Sequence, residues 1–242
     1  MNHTSKDSLA NLSQYSAYSD SYFDKLYNDN TDPWQYQTRW YEERKRNTCL
    51  ALLPQPHYKC AIELGCGNGV FSELLAHRSQ ALISIDGNHR AVELAKERLA
   101  ALPHAKVIQG IVPEKLFSLK ELVGQKSLSS DDNSINQPPF DLIVISEILY
   151  YLSSKDVDAV ITWVLHNLTL NGTLLCCHWR YAIDGFAMTG EVVHQRLHQA
   201  FSVANEKNHH AFNHQSQMID SDFLLDIWQR SSTSVAMQEN LI

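Results

Sequence analysis

The first chemical signal in the chain is a run of five residues, Gly65-Cys66-Gly67-Asn68-Gly69. Glycines at alternate positions let a backbone turn tightly and approach a ligand with no Cβ in between. Several nucleotide-binding folds use such a turn, so the spacing has to discriminate among them. A dinucleotide-binding turn reads G-x-G-x-x-G, and here residue 70 is Val, so the third glycine comes one residue early. A phosphate-binding P-loop continues into Gly-Lys-Ser/Thr, and no Lys follows this turn. The carboxylate of Glu63, just before the turn, suits an amino group better than a pyrophosphate. Asp86 then falls at the end of the next apolar run. A carboxylate at the C-terminal edge of a neighbouring strand can accept hydrogen bonds from both hydroxyls of a ribose. The competing reading of Asp86 is a turn or helix-start residue, since Gly87-Asn88 follows it. Turn and carboxylate together point to a nucleoside-containing cofactor.

These residues need elements to position them. Residues 60–64 form a short apolar run, read as strand one, and 70–77 carry a helical pattern. Residues 81–85 read as strand two, Asn88 can cap a helix running to Leu99, and 106–109 read as strand three. Residues 140–145 are a continuous apolar run suited to a strand buried on both faces. Ser153 and Asp156 make a capping-box-like start for a helix to Leu168, Asn171-Gly172 reads as a turn, and 173–179 as strand five. Alternating strands and helices imply right-handed crossovers and a parallel sheet. Further on, Thr189 can cap a helix to about Phe201. Residues 223–228 and, more weakly, 211–218 read as an antiparallel pair at the sheet edge. Upstream, 39–53 read as a helix ended by Pro54, and the polar stretch 1–38 as a mobile lid segment before a domain spanning 39–235. Residues 118–139 include Ser127-Leu128-Ser129-Ser130-Asp131-Asp132 and end in Pro138-Pro139, a composition expected of a solvated inserted loop.

Bulk properties narrow the class. The 242 residues are 44% hydrophobic, enough for one large α/β core. Acidic residues outnumber basic ones 27 to 20, which argues against a nucleic-acid partner. No apolar run reaches the length of a membrane span, and the N-terminal stretch lacks an apolar signal core, so the expectation is a cytoplasmic protein. Cys49, Cys60, Cys66, Cys176 and Cys177 have no metal-type spacing, and their odd number suggests no disulfide framework. His194 and His198 are four apart on a predicted helix, but Gln195-Arg196-Leu197 between them lacks the Glu of a zinc-protease motif, so no metal is expected.

Glu63-Leu64-Gly65-Cys66-Gly67-Asn68-Gly69, Asp86 and Phe140-Asp141-Leu142-Ile143-Val144 resemble the class I methyltransferases. That resemblance implies an α/β, Rossmann-like fold: a seven-stranded, mostly parallel sheet of order 3-2-1-4-5-7-6 with helices on both faces. It implies S-adenosyl-L-methionine as cofactor, bound by Glu63, Gly65, Cys66, Gly67, Asn68, Asp86, Gly87, Gly110, Ile111 and Ser146. Gly65 and Gly67 would lie against the methionine part and Asp86 against the ribose. Where many members carry an acidic residue for the adenine amine, this chain has Gln109-Gly110-Ile111, so that contact falls to backbone or to the Gln109 side chain.

A narrower resemblance is to the nodulation-factor N-methyltransferases, the nodulation protein S type. It rests on Asp32-Pro33-Trp34 with Tyr41, Glu42 and Lys45, on 146–152, and on Cys177-His178-Trp179-Arg180 with Thr189-Gly190-Glu191. It implies methyl transfer to the free amine of an amino sugar or chitooligosaccharide-like small molecule. A base that takes the ammonium proton can add about 10²–10⁴-fold to such a reaction. Glu147, after strand four, and His178, near the end of strand five, are the candidates. Glu147 could instead contact the cofactor or cap a helix, and His178 could be a hydrogen-bonded core histidine. Trp34, Tyr41, Tyr150, Tyr151 and Trp179 offer flat faces to a sugar or to the cofactor, and Arg180 could pair with Glu147 or with an acidic acceptor. The alternatives are an O-methyltransferase of another small metabolite, a nicotinamide-dependent oxidoreductase, and a non-catalytic cofactor-binding module.

Overall fold

A computed structural model of the chain describes residues 20–124, 140–207, 212–231 and 233–242. The elements run α1 (Asp20–Asp29), α2 (Trp40–Leu52), β1 (Ala61–Leu64), α3 (Val70–Ala76), β2 (Leu82–Asp86), α4 (His89–Arg98), β3 (Ala105–Gln109), α5 (Glu114–Gly124), β4 (Phe140–Ser146), a 3-10 turn (Leu149–Tyr151), α6 (Ser154–Asn167), β5 (Leu168–Trp179), α7 (Gly190–Lys207), β6 (Asn213–Ile219), β7 (Phe223–Gln229) and α8 (Val235–Gln238).

One seven-stranded sheet has the order β3-β2-β1-β4-β5-β7-β6. The pairs from β3 to β5 are parallel, and β7 is antiparallel to both β5 and β6. The predicted order is therefore observed. Its inner strands are apolar because helices cover both faces. Successive residues alternate between two cores: Ile62, Ile143, Leu174 and Cys176 face one layer, and Ala61, Leu142, Val144, Leu175 and Cys177 the other. Chain order reverses between β1 and β4, and that break opens a crevice at the C-terminal ends of the strands, where open α/β sheets bind ligands. Among the described residues, no helix is long and apolar enough to cross a membrane.

Helix starts follow local chemistry. Asn88 caps α4 by accepting from the Ala91 N–H, and Ser153 caps α6 by accepting from the Asp156 N–H. Three departures from the sequence reading matter. Residues 20–38, expected to be a loose lid, contain α1 and a structured turn, and Phe23 and Tyr27 are buried. Tyr22, Phe23, Leu26 and Tyr27 form an apolar, mostly aromatic stripe at helical spacing that polar neighbours mask. The expected inserted loop 118–139 begins too early: α5 runs to Gly124, and Leu116 and Leu119, three apart, are buried in the core. The remainder, 125–139, lies outside the described residues. Asn171-Gly172 does not end an element; β5 continues through it, with Asn171 at φ 64° and the register against β4 shifting nearby.

The third helical surprise is α2. Its buried residues are Glu42, Lys45, Arg46 and Cys49, while Trp40 is 68% exposed. A charged stripe that turns inward is costly unless each charge finds a partner. Local rules of this kind are broken most often where a site is built.

Candidate functional site

A cavity of about 460 Å³ occupies the crevice at the strand ends. Its floor is the turn after β1. Gly67 has φ 53°, and a Cβ there would lie 3.1 Å from the Tyr27 hydroxyl and 3.5 Å from the Tyr36 ring. Gly65, at φ 75°, would drive a Cβ to 2.9 Å from that of Ile148. The Gly67 backbone N–H donates to Asp86 Oδ2 at 2.8 Å, and the Asn88 N–H donates to Oδ1 at 2.9 Å. Asp86 therefore braces the glycine turn while keeping lone pairs for a ligand. Burial raises its pKa, against the pull of those two N–H donors.

The roof comes from the N-terminal segment. Asp32 Oδ1 accepts from the Tyr36 N–H and Oδ2 from the Gln37 N–H, a side-chain-closed turn. Asn68 Nδ2 donates to Asp32 Oδ1 and to the Thr31 carbonyl, which ties the roof to the glycine turn. Asn88 Nδ2 reaches back to Asp24 on α1. Trp34 stacks on Tyr36 with ring centroids 5.6 Å apart, and the Tyr27 ring meets Trp34 edge-on. Among the described residues, the buried Tyr27 hydroxyl has no hydrogen-bond partner.

The far wall centres on Glu147, which has φ 60°. A non-glycine residue in the left-handed region marks a constrained position. Lys45 Nζ lies 2.9 Å from Glu147 Oε1 and 3.0 Å from Glu42 Oε2. The Tyr150 hydroxyl and the Trp179 N–H donate to Glu147 Oε2. Burial opposes the charge of Lys45, but the flanking Glu147 and Glu42 carboxylates outweigh it and hold the ammonium protonated well above the usual lysine range. Burial and the Glu147 charge push the Tyr150 phenol up, so it stays a donor. With two donors on Oε2 and one on Oε1, Oε1 keeps an acceptor position for a guest.

The structure brings together many of the residues read from sequence. Gly65, Gly67, Asp86, Gly87, Gly110, Ile111, Trp34, Tyr41, Glu147, Tyr150, Tyr151 and Trp179 all line the cavity. Glu63, Cys66, Asn68 and Ser146 line a small adjoining recess instead. The Gln109 side chain turns away to Gly87 and His89, leaving Gly110 and Ile111 on that wall.

Two rim candidates lie elsewhere. His178 is fully buried; its Nε2 accepts from the Leu149 N–H at 3.3 Å and its Nδ1 lies 3.1 Å from His194 Nε2. Burial, then His194 and Lys45, hold its pKa well below the ordinary value. With both nitrogens engaged and no face on the cavity, His178 is displaced from the base role proposed for it. Strand alternation explains this: Cys176 and His178 share one face of β5, and Trp179 takes the other. Arg180 pairs with Glu191 at 2.6 Å and donates to the Asp220 carbonyl, so it meets neither Glu147 nor the cavity. The cation beside Glu147 is Lys45, not Arg180, for which pairing with Glu147 was one of two readings. Lys45, Glu42, Tyr27 and Tyr36 are lining residues that pattern reading did not single out as site residues.

Glu63 supplies a pH test. It is buried, and its Oε2 accepts from the Ser72 and Ser84 hydroxyls. Burial pushes its pKa up to about 7, partly offset by those two donors. A carboxyl raised in the folded state keeps its proton there while the unfolded chain has already lost it. The folded form is therefore fully favoured below the unfolded value and loses stability as pH rises toward 7. The loss is on the order of 3 kcal/mol. Glu63→Gln should flatten the fall in melting temperature between pH 5 and 8; an unchanged slope means that Glu63 does not titrate in this window.

The chain is similar to known methyltransferases in sequence and in fold. A family model described as a methyltransferase domain matches residues 62–174. A crystal structure described as a methyltransferase from Pseudomonas syringae is 36% identical, covers 78% of this chain and 99% of its own, and superposes with a TM-score of 0.59. N-methyltransferase NodS from Bradyrhizobium japonicum WM9, solved in complex with S-adenosyl-L-homocysteine, is 24% identical over 85% of this chain and 96% of its own, with a TM-score of 0.64. Nodulation protein S of Sinorhizobium fredii is 33% identical over 138 residues, 57% of this chain. That match spans 54% of the relative's length.

Proposed function

Since the chain belongs to the class I S-adenosylmethionine-dependent methyltransferases, we propose that it methylates the free amine of an amino sugar or a related small molecule. The observation that carries this reading is the charge of the cavity wall. Among the described residues, four carboxylates, Glu42, Asp86, Glu147 and Asp222, line the cavity with two cations, Arg39 and Lys45, a formal net of −2. A sulfonium donor and an ammonium acceptor are both cations and gain from such a wall. A carboxylate acceptor would be repelled, and a neutral hydroxyl would gain little. The N-methyltransferase among the structural neighbours supports nitrogen as the acceptor atom.

The residues present fit the cofactor. The Gly67 backbone leaves a space that a Cβ would fill, and the Tyr27 hydroxyl, without a partner among the described residues, lies beside it. Asp86 offers free lone pairs to ribose hydroxyls, and Gly110 and Ile111 offer backbone and an apolar face to the base. The recess beside the turn, with Glu63, Asn68 and Arg46, suits the amino-acid end. When bound, S-adenosylmethionine supplies an electrophilic methyl group that an amine lone pair takes in line.

The chain's own contribution is placement and proton handling. Glu147 Oε1 accepts a hydrogen bond from the amine, orients its lone pair, and receives the proton that docking or transfer releases. Lys45, Tyr150 and the Trp179 N–H hold that carboxylate still. Trp34, Tyr41, Tyr151 and Trp179 present flat faces to the acceptor and help exclude water. Holding two reactants in line can be worth roughly 7–11 kcal/mol. An N-acetylated nitrogen shares its lone pair with the amide carbonyl and is a poor acceptor.

The proposal is tested by screening amines, hydroxyls and carboxylates with methyl-labelled S-adenosylmethionine. Partly deacetylated chitooligosaccharides or related amino sugars should take up label, and fully N-acetylated ones should not. Label found only on hydroxyl or carboxylate acceptors would move the protein to the O-methyl reading.

Asp86→Ala bears on the cofactor half alone. A single hydrogen bond to a charged group contributes roughly 1.5–3 kcal/mol, and the substitution also frees the Gly67 N–H. Calorimetric affinity for S-adenosylmethionine should fall at least about tenfold, with the fold retained by circular dichroism. Unchanged affinity in a folded variant removes Asp86 from the site.

A further inference from the structure

The outer part of the sheet holds a polar cluster that methyl transfer does not use. The Asp226 side chain, on β7, is 1% exposed, yet its carboxylate meets three imidazoles. Its Oδ2 is hydrogen-bonded to His194 Nδ1. Its Oδ1 lies 2.5 Å from His214 Nε2 and 3.3 Å from His198 Nε2. Hydrogen bonding fixes the inner tautomers. The Leu149 N–H donates to His178 Nε2, so a neutral His178 carries its proton on Nδ1 and donates to His194 Nε2. His194 in turn carries its proton on Nδ1 and donates to Asp226 Oδ2. The carboxylate is anchored from inside, and Oδ1 faces two outer imidazoles that are 37% and 34% exposed.

We propose that Asp226 Oδ1, His198 Nε2 and His214 Nε2 form a binding site for a divalent transition-metal ion, zinc in particular. The three ligand atoms all lie within 4.8 Å of one another. Around a tetrahedral zinc with bonds of about 2.0–2.1 Å, ligand atoms sit ~3.3 Å apart. The His198–Asp226 distance already has that value; the His214 nitrogen must withdraw from Asp226 by less than ~1 Å, and the two imidazole nitrogens, within 4.8 Å of each other, must settle to the same spacing. Both imidazoles stand beside Trp228, with ring centroids 5.1 and 5.2 Å away, which limits their freedom. The fourth position is open to solvent, near the Gln217 side-chain amide, which lies 3.4 Å from His198 Nε2. His194 holds the ligating carboxylate through its other oxygen, the arrangement typical around metal ligands. The sequence reading weighed His194 with His198 as a metal pair and expected none. The structure pairs His198 with His214 instead, across α7 and β6, and makes His194 the outer support.

The test is a titration of the chelator-treated full chain with zinc chloride, followed by calorimetry and melting temperature. One zinc per chain should bind and raise the melting temperature. His198→Ala and His214→Ala should each weaken that binding at least tenfold and abolish the shift. His166→Ala, an exposed histidine on α6 bonded to the Thr162 carbonyl, should leave both unchanged. Absence of zinc binding at micromolar concentrations, or equal binding and equal shifts in both site variants, overturns the proposal. If a variant does not fold, cobalt(II) substitution of the wild type decides: intense tetrahedral visible bands support the site, and weak octahedral bands contradict it.

Discussion

Gly67→Val should leave the protein folded and unable to take up S-adenosylmethionine. Gly67 sits at φ 53°, where a Cβ would already lie 3.1 Å from the Tyr27 hydroxyl. Left-handed backbone costs an L-residue about 1–2 kcal/mol, and a β-branched side chain is the worst occupant. Valine adds two methyl groups that project into the cavity where the cofactor's amino-acid end and ribose are proposed to lie. Affinity by calorimetry should fall at least about 100-fold, the equivalent of roughly 3 kcal/mol. Gly67→Ala should fall between the two, because it adds the strain and one carbon. Gly185→Ala is the matching control: that residue has φ +86° and, among the described residues, nothing within 4 Å of a Cβ. It carries the strain without the obstruction and should bind normally. If Gly67→Val binds like the wild type, the turn does not touch the ligand.

Glu147→Gln should cut turnover by about 10²–10⁴-fold while moving cofactor affinity little. The amide keeps the size of the carboxylate but cannot take a proton. Lys45 retains Glu42 at 3.0 Å, so the variant does not strand a buried cation, and the fold should persist. The loss should appear in kcat rather than in the affinity for S-adenosylmethionine, as expected of a group acting on the acceptor. Equal turnover in Glu147→Gln would leave Glu147 as a wall residue only. His178→Ala is expected to act differently. His178 does not line the cavity, and removing it takes away the acceptor of the Leu149 N–H and the partner of His194 Nε2 in the core. The loss should be of stability first, read as a lower melting temperature.

The sequence made the scaffold legible because its inner strands are short apolar runs and its helix starts carry capping side chains at Asn88 and Ser153. The sheet order was not in those patterns. It came with the family resemblance, and the observed order matches it. The proposed cofactor side of the site was legible because a glycine turn and a following strand-end Asp are local signals, and both line the cavity. The acceptor side was harder, for physical reasons that individual residues make plain. Glu147 stood out at the end of an apolar strand. Its partner Lys45 is 102 positions away, on a helix whose charged stripe would ordinarily face water. The burial of that stripe depends on tertiary pairing among Glu42, Lys45, Arg46 and Glu147, which no periodicity encodes. His178 had an available signal in the alternation along β5, which sets it on the opposite face from Trp179. Its partner His194 lies on a later helix and is in turn held by Asp226, so only the packed structure assembles the chain. The aromatic roof was masked by the polar composition around Tyr22, Phe23, Leu26 and Tyr27.

The proposed acceptor atom is a free amine nitrogen. This is tested most directly by incubating the protein with S-adenosylmethionine and a partly deacetylated chitooligosaccharide, then locating the added methyl group by tandem mass spectrometry and proton–carbon correlation NMR. The expected product carries one methyl carbon bonded to the nitrogen of a glucosamine unit, formed with one equivalent of S-adenosylhomocysteine, and the fully N-acetylated oligomer should give none. A methyl group on a hydroxyl oxygen, or equal product from the acetylated oligomer, would contradict the proposal.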